Sequence, residues 1–180
     1  MSIFDRFSEE ELAILKARAE RVAYAADDDD TGNLMSVLKV GIGNEMYALP
    51  VESLTAVYEH IPVVPVPCTP GYVSGIANIR GHILPVLNLS ILLGVSAPEA
   101  MSEAKLIVAD NRDMTVAFQV SSVGDIVSIP GSEIDNLPGN IDGRASGYIQ
   151  GLLADGAALL NTRAILEDPS LIVSASARDN

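Results

Sequence analysis

The sequence predicts a mainly β protein of about nine or ten short strands, the pattern of a small barrel or a sandwich. Two observations favour this fold. Short apolar stretches alternate with turns rich in Gly, Asn, Asp and Pro, and a two-residue Asp155-Gly156 turn joins the last two predicted strands. Hydrophobic residues make up 48% of the 180 residues but aromatic residues only 4%, so the core must be aliphatic.

Residues 1–33 are predicted to form a helical extension that ends in an acidic linker. Ser8 and Glu11 have the spacing of a capping box, and the four aspartates of 27–30 oppose the negative end of a helix dipole. Between them, one apolar stripe follows helical spacing through Leu12, Leu15, Ala19, Val22 and Ala26. This stripe predicts either packing back onto the domain or pairing with another chain.

The remaining elements follow from apolar runs and their flanking turns. We predict strands at 35–40, 46–51, 54–58, 82–87, 105–109, 114–120, 123–129, 148–154 and 157–160. Short helical turns are expected at 89–93 and 162–167, and also at 71–79, where small residues predominate. The prolines between 62 and 70 predict an extended and mostly unpaired segment.

The charge balance and the chain's ends restrict partners and location. Acidic residues outnumber basic ones 24 to 11, giving a formal net charge of −13, so we expect no nucleic-acid binding and no insertion into anionic membranes. The uncharged stretch 60–79 carries four prolines, which a membrane-spanning helix would not tolerate. Because the N-terminus also lacks the pattern of a signal peptide, we expect a cytoplasmic protein.

Catalytic signatures are missing from the sequence. His60, His82 and Cys68 are the candidate reactive side chains, and no motif of a nucleophile, a metal site or a phosphate-binding loop surrounds them. We therefore predict no enzyme, no cofactor and no metal. A small ligand-binding or hydrolytic β-barrel protein is the alternative, and it requires these three residues to converge in space.

Arg80 is the only formally charged residue between His60 and Pro98. A segment this neutral is either buried or forms an apolar surface, and glycines at 75 and 81 let the backbone pass close to a neighbour. Arg80 is interpreted either as paired inside the domain or as an anchor within an apolar interface.

The segment around Arg80 resembles the signature of CheW-like domains, the coupling proteins of bacterial chemosensory arrays. The matching residues run Gly75-Ile76-Ala77-Asn78-Ile79-Arg80-Gly81 and then Pro85-Val86-Leu87-Asn88-Leu89. Four further stretches resemble parts of the family pattern in the right order: 47–51, 120–129 and 148–151 resemble family strands, and 64–70 resembles a proline-containing lead-in.

The resemblance implies two small SH3-like five-stranded β-barrels packed side by side, with an apolar groove between them. It places the CheW-like domain at 34–170, followed by a 171–180 tail. It implies a non-catalytic adaptor that bridges the regulatory domain of a chemosensory histidine kinase and the cytoplasmic tip of chemoreceptors, and that contacts other CheW-like proteins. A cytoplasmic protein recruited to membrane-associated receptor arrays is the expected location. The partner-binding residues that we select from the matching motif are Val73, Gly75, Asn78, Ile79, Arg80 and Gly81.

Four positions depart from the family pattern. Ala56 stands where the family usually has Glu, Asn88 and Ser121 replace family aspartates, and Ser90 replaces a family arginine. Glu52 and Glu59 are the candidates that could replace the missing Glu as a partner of Arg80. These changes favour a divergent array, such as one that controls surface motility. They also leave open a scaffold that binds the kinase or other coupling proteins but has lost receptor contact.

Overall fold

The computed structural model describes residues 34–96, 104–136 and 144–171, and strands dominate these ranges. The strands are β1 (Leu34–Ile42), β2 (Glu45–Pro50), β3 (Leu54–Tyr58), β4 (Val63–Val64), β5 (Val73–Ile79), β6 (His82–Asn88), β7 (Lys105–Asp110), β8 (Thr115–Val120), β9 (Ser122–Pro130), β10 (Ile149–Leu152) and β11 (Ala158–Leu160). The two short α-helices are α1 (Leu89–Leu93) and α2 (Thr162–Glu167). The predicted 1–33 helix and the tail beyond Leu171 lie outside the described residues.

The strands form two sheets, and the chain visits them in the order A, B, A. Sheet A has five strands in the order β10-β11-β2-β1-β9, and sheet B has six in the order β3-β7-β8-β6-β5-β4. An isolated bridge between Asp135 and Leu152 links the segment after β9 to β10, at the opposite edge of sheet A. The predicted mainly β, two-unit architecture is confirmed, and sheet B differs from the expected five strands by the two-residue β4.

Each sheet has an apolar cluster of its own, and a third core holds the two sheets together. Val37, Ala48 and Leu159 lie in the sheet A cluster, whereas Ala77 and Val86 lie in the sheet B cluster. The shared core is formed by the opposite faces of the strands and by both helices. Its members include Leu38, Val40, Leu49, Leu87, Leu92, Ile107, Phe118, Ile165 and Leu166. The strict alternation of strand side chains allows one strand to serve two cores.

Residues 73–79 form the strand β5, so the helical turn predicted for 71–79 is wrong. β5 pairs with β4 on one side and with β6 on the other, and it buries Ala77 and Ile79 in the sheet B cluster. Small residues suggested a turn, but their role is to let neighbouring strands approach closely. Sheet pairing therefore overrides the weak local preference of this stretch.

Two of the residues that depart from the family pattern keep a structural hydrogen bond. The Oδ1 atom of Asn88 accepts from the backbone N–H of Ile91 at 3.2 Å and caps α1, and the Ser121 hydroxyl accepts from the N–H of Gly43 at 3.1 Å. Asn and Asp are equally good helix caps, so the loss of charge at position 88 leaves α1 intact. Ala56 packs against the sheet B cluster from β3.

One ion pair links β1 to the β10–β11 turn within sheet A. The ammonium of Lys39 on β1 lies 2.6 Å from Oδ2 of Asp155 in the β10–β11 turn, and the Lys39 side chain is mostly buried. The hydrogen bond from Lys39, followed by one from the backbone N–H of Ala157, lowers the pKa of Asp155. The pair joins β1 to the β10–β11 turn, and its two residues are 116 positions apart in the chain.

We expect Asp155→Asn to lower the free energy of unfolding at pH 7 by about 0.5–1 kcal/mol, the range for a solvent-screened pair. Because folding depresses the Asp155 pKa, the stabilisation is complete above the unfolded value of about 3.9 and disappears as pH falls through the folded value. Urea unfolding at pH 7 and pH 3 measures this. A difference between variant and wild type that is the same at both pH values would contradict the assignment.

Candidate functional site

Arg80 and Gly81 form the two-residue turn between β5 and β6. Both have positive φ angles, of 53° and 87°, as a type I′ hairpin turn requires. Oδ1 of Asn78 accepts a hydrogen bond from the N–H of Gly81 at 2.9 Å and fixes the turn from inside. The Asn-x-Arg-Gly part of the motif therefore builds a rigid hairpin tip that presents the Arg80 side chain.

The Arg80 guanidinium lies over an aromatic ring. Its Cζ is 5.4 Å from the ring centroid of Tyr58, the last residue of β3, which is the geometry of a cation–π contact. Glu59, which the sequence offered as a partner for Arg80, instead forms an ion pair with Lys105. Among the residues that the structure describes, no carboxylate forms an ion pair with Arg80, and the residue is exposed.

An apolar cavity of about 300 Å³, called the groove below, lies beside the other end of β5. Its lining comes from β5, β6, the β7–β8 hairpin, the loop after β4 and the last described residue: Val66, Thr69, Val73, Gly75, Ile76, Pro85, Leu87, Met114, Val116 and Leu171. The only hydroxyl in this lining belongs to Thr69, and it donates to the carbonyl of Val66 at 2.8 Å. The groove thus suits an apolar occupant.

The groove continues onto an exposed apolar strip, called the outer face below. Residues directly opposite in antiparallel strands share a face, so Val64, Ile76 and Pro85 form one row across β4, β5 and β6. Ile83 extends the strip towards the hairpin tip. Val64 on the edge strand β4 and Ile83 on β6 are both 59% exposed, so the strip presents two large aliphatic residues to the solvent.

Gly75 makes the approach of β4 possible. Its φ is 145°, and a Cβ atom built on it would lie 2.1 Å from the carbonyl oxygen of Val64. No side chain fits there without moving β4. Since β4 leads into the loop that carries Val66 and Thr69, Gly75 also fixes one wall of the groove.

The six residues selected from the sequence therefore divide into three groups. Val73 and Gly75 line the groove, Asn78, Arg80 and Gly81 form the hairpin tip, and Ile79 is buried in the sheet B cluster. Sequence reasoning missed Met114, Val116 and Leu171, because apolar residues that line a groove carry the same local pattern as residues of a core.

The candidate reactive side chains do not line the groove. His60 lies in the linker after β3, His82 begins β6, and Cys68 lies exposed in the loop between Val66 and Thr69. Within the described ranges, no three His, Cys, Asp or Glu side chains are grouped so that they could hold a metal ion. Nor does any helix within these ranges combine the length and apolar character needed to cross a membrane.

Comparisons with known proteins agree with this geometry. The family model of the CheW-like domain matches residues 36–170. The chemotaxis protein CheW of Helicobacter pylori is 25% identical over 128 residues, which cover 71% of this chain and 78% of that protein. The chemotaxis protein CheW of Thermotoga maritima is 34% identical over 99 residues, which cover 55% of this chain and 65% of that protein.

A solved structure supports the fold. The crystal structure of the scaffolding protein TtCheW from Thermoanaerobacter tengcongensis is similar with a TM-score of 0.64 and 19% sequence identity. The similarity covers 71% of this chain and 89% of that one. At this identity the likeness concerns the arrangement of the two sheets.

Proposed function

The chain belongs to the CheW-like domain family and is a non-catalytic adaptor of chemotaxis signalling, and we propose that it couples a chemosensory histidine kinase to chemoreceptors. In this proposal the cytoplasmic tip of the receptor binds the groove and the outer face. The regulatory domain of the kinase is the second binding partner. The protein reaches membrane-associated arrays through these contacts.

The observation that carries the proposal is the continuity of the groove with the outer face. Together they join an apolar cavity and two exposed aliphatic side chains on one face of sheet B, a strip that leads towards the β5–β6 turn with Arg80. Binding surfaces commonly place aliphatic or aromatic anchors at their centre and Arg among the residues that contribute most to affinity. This surface gives a binding partner apolar contacts and one charged contact. It contributes no catalytic group.

The direct test is a calorimetric titration with two partners from the same genome. The protein is titrated first with the regulatory domain of the chemosensory kinase and then with the receptor tip. Binding to both supports the coupling role. Binding to neither would overturn it and leave only the fold.

A scaffold that binds the kinase without the receptor is the second candidate. The neutral residues Ala56 and Asn88 at positions that are charged in the family favour it. The same titration separates the two functions, because this scaffold would give heat with the kinase domain and none with the receptor tip.

We expect Arg80→Ala to weaken binding of the receptor tip by about 1–3 kcal/mol, roughly five- to 150-fold, because Arg80 is the charged anchor of the surface. Its effect on stability should be about 0.5–1 kcal/mol, the value of an exposed cation–π contact. Calorimetry measures the change in binding, and thermal unfolding measures the change in stability.

Arg112→Ala is the matched control. Arg112 is also exposed, also has a positive φ, of 78°, and also lies at a hairpin tip, between β7 and β8. The control therefore removes the same charge from the same type of backbone position. If both variants lost receptor affinity equally, net charge and not the Arg80 contact would explain the effect.

A further inference from the structure

One wall of the groove is part of a β-turn that follows α2. The turn, called the clasp below, is Asp168-Pro169-Ser170-Leu171, and Asp at the first position with Pro at the second is favoured in the commonest type of β-turn. The N–H of Leu171 donates to the carbonyl of Asp168 at 3.0 Å, and the N–H of Ser170 donates to Oδ1 of Asp168 at 2.8 Å. The clasp thereby places the Leu171 side chain, only 6% exposed, in the lining of the groove.

The clasp is held from sheet A by Tyr148, the residue before β10. The Tyr148 hydroxyl donates to Oδ2 of Asp168, and a hydrogen bond to a carboxylate is roughly twice as strong as one between neutral groups. The Tyr148 carbonyl accepts from the N–H of Asn161 at 2.7 Å. Asn161 caps the start of α2, and Asp168 directly follows its last residue. One buried tyrosine therefore fixes both ends of the helix that leads into the clasp.

The clasp is held from sheet B by Tyr72, the residue before β5. The Tyr72 hydroxyl donates to the carbonyl oxygen of Ser170 at 2.8 Å. The Tyr72 carbonyl in turn accepts from the N–H of Asn88, the last residue of β6, at 2.8 Å. Val73, the next residue in the chain, begins β5 and lines the groove. Tyr72 thus connects the wall formed by Leu171 to the wall formed by β5.

We propose that Tyr148 and Asp168 are positioning residues of the groove: through the clasp they hold Leu171 in the wall before a partner arrives. A side chain that is already ordered loses little further conformational freedom on binding, so a preformed wall favours affinity. When the clasp is released, the apparent affinity falls in proportion to the fraction of molecules whose wall is in place. A hydroxyl beside sheet A therefore sets the affinity of a groove on sheet B. This effect on affinity rests on the proposed function, in which the receptor tip binds the groove.

Tyr148→Phe tests the proposal, because it removes the hydroxyl and keeps the aromatic ring in the shared core. We expect the affinity for the receptor tip, measured by calorimetry, to fall by about three- to tenfold, if the wall is in place in about a third to a tenth of the variant molecules.

Tyr47→Phe is the matched control. Tyr47 is also buried in the shared core, and its hydroxyl also donates to a carboxylate, that of Glu45 at 2.8 Å, but neither residue lines the groove. The control should change the affinity for the receptor tip by less than about twofold. Equal losses in Tyr148→Phe and Tyr47→Phe would overturn the proposal, because a general loosening of the core would explain both.

A double-mutant cycle shows whether Tyr148 acts through Leu171. Leu171→Ala removes the aliphatic wall itself and should lower the affinity for the receptor tip by about tenfold. In the Leu171→Ala background, Tyr148→Phe should change the affinity by less than about twofold, because the wall that the hydroxyl positions is already gone. If the two losses were additive, the hydroxyl would not act through Leu171 and the proposal would be wrong.

Amide hydrogen exchange reports on the clasp without any partner. The N–H groups of Ser170 and Leu171 both donate within the clasp, so local opening exposes them to exchange. We expect both amides to exchange about tenfold faster in Tyr148→Phe, and at the wild-type rate in Tyr47→Phe. Unchanged exchange in Tyr148→Phe would show that the hydroxyl does not hold the clasp.

The two measurements keep this inference separate from the proposed function. Faster exchange in Tyr148→Phe, together with wild-type affinity in both Tyr148→Phe and Leu171→Ala, would support the clasp and overturn the receptor's use of the groove. Unchanged exchange in Tyr148→Phe would overturn the inference, and binding of the receptor tip to the same variant would leave the adaptor function in place.

Discussion

We expect Gly75→Ala to be the most destabilising single-methyl addition in the domain, lowering the free energy of unfolding by about 3–4 kcal/mol, within the range of the largest point-mutation effects. Two costs combine. An L-residue at a φ of 145° is strained by about 1–3 kcal/mol. The new Cβ would also lie 2.1 Å from the Val64 carbonyl oxygen, so β4 would have to move away from β5.

A loss of this size is a large share of the 5–15 kcal/mol that stabilises a typical domain. Chemical unfolding with urea, followed by far-ultraviolet circular dichroism, measures it directly. Gly71→Ala is the matched control, because a Cβ there meets no atom within 4 Å. It should change stability by less than about 1 kcal/mol. If Gly75→Ala matched the control, β4 could move without cost, and Gly75 would not fix the wall of the groove.

The strands flanked by strong turn signals could be predicted from the sequence. The β7–β8 hairpin follows from the turn residues 110–113, where the side chains of Asp110 and Asn111 accept hydrogen bonds from the backbone. Both helices begin after an Asn that caps them, Asn88 for α1 and Asn161 for α2. In these stretches local chemistry and tertiary structure favour the same conformation.

The prediction from the sequence failed where contacts between residues far apart in the chain determine the structure. β5 is recognisable as a strand only once β4 and β6 flank it, because its small residues give no clear local period. The contact of Arg80 with Tyr58 joins β3 and the β5–β6 turn through the curvature of sheet B, which no sequence spacing reports. The groove likewise combines Val73 with Met114 and with Leu171, which follows Val73 by nearly 100 residues in the chain.

There is a physical reason why the sequence motif marks the hairpin tip and Gly75 but not the rest of the groove. At Gly75 and in Asn78-x-Arg80-Gly81 the backbone geometry restricts which residue types fit, so these positions form a recognisable pattern. The groove is built from aliphatic side chains that many residues could replace. A sequence motif therefore marks the rigid frame of the surface, whereas the contact area around it has to be read from the structure.

The largest expected effect on binding is that of Ile83→Asp. Ile83 is 59% exposed on the outer face, between the groove and the Arg80 tip, so a bound partner should cover it. The substitution removes an aliphatic contact and forces a carboxylate out of water in the complex. We expect a loss of about 2–3 kcal/mol in receptor-tip binding, roughly 30- to 150-fold.

The free domain should tolerate this change, because the Ile83 side chain belongs to none of the three apolar clusters. Ile126→Asp is the matched control: Ile126 is an exposed isoleucine, 44% accessible, on β9 of sheet A. Receptor-tip affinity should change less than about threefold in the control, as for residues at the margin of an interface. If Ile126→Asp abolished receptor binding and Ile83→Asp did not, the receptor surface would belong to sheet A and the outer face would have to serve another partner.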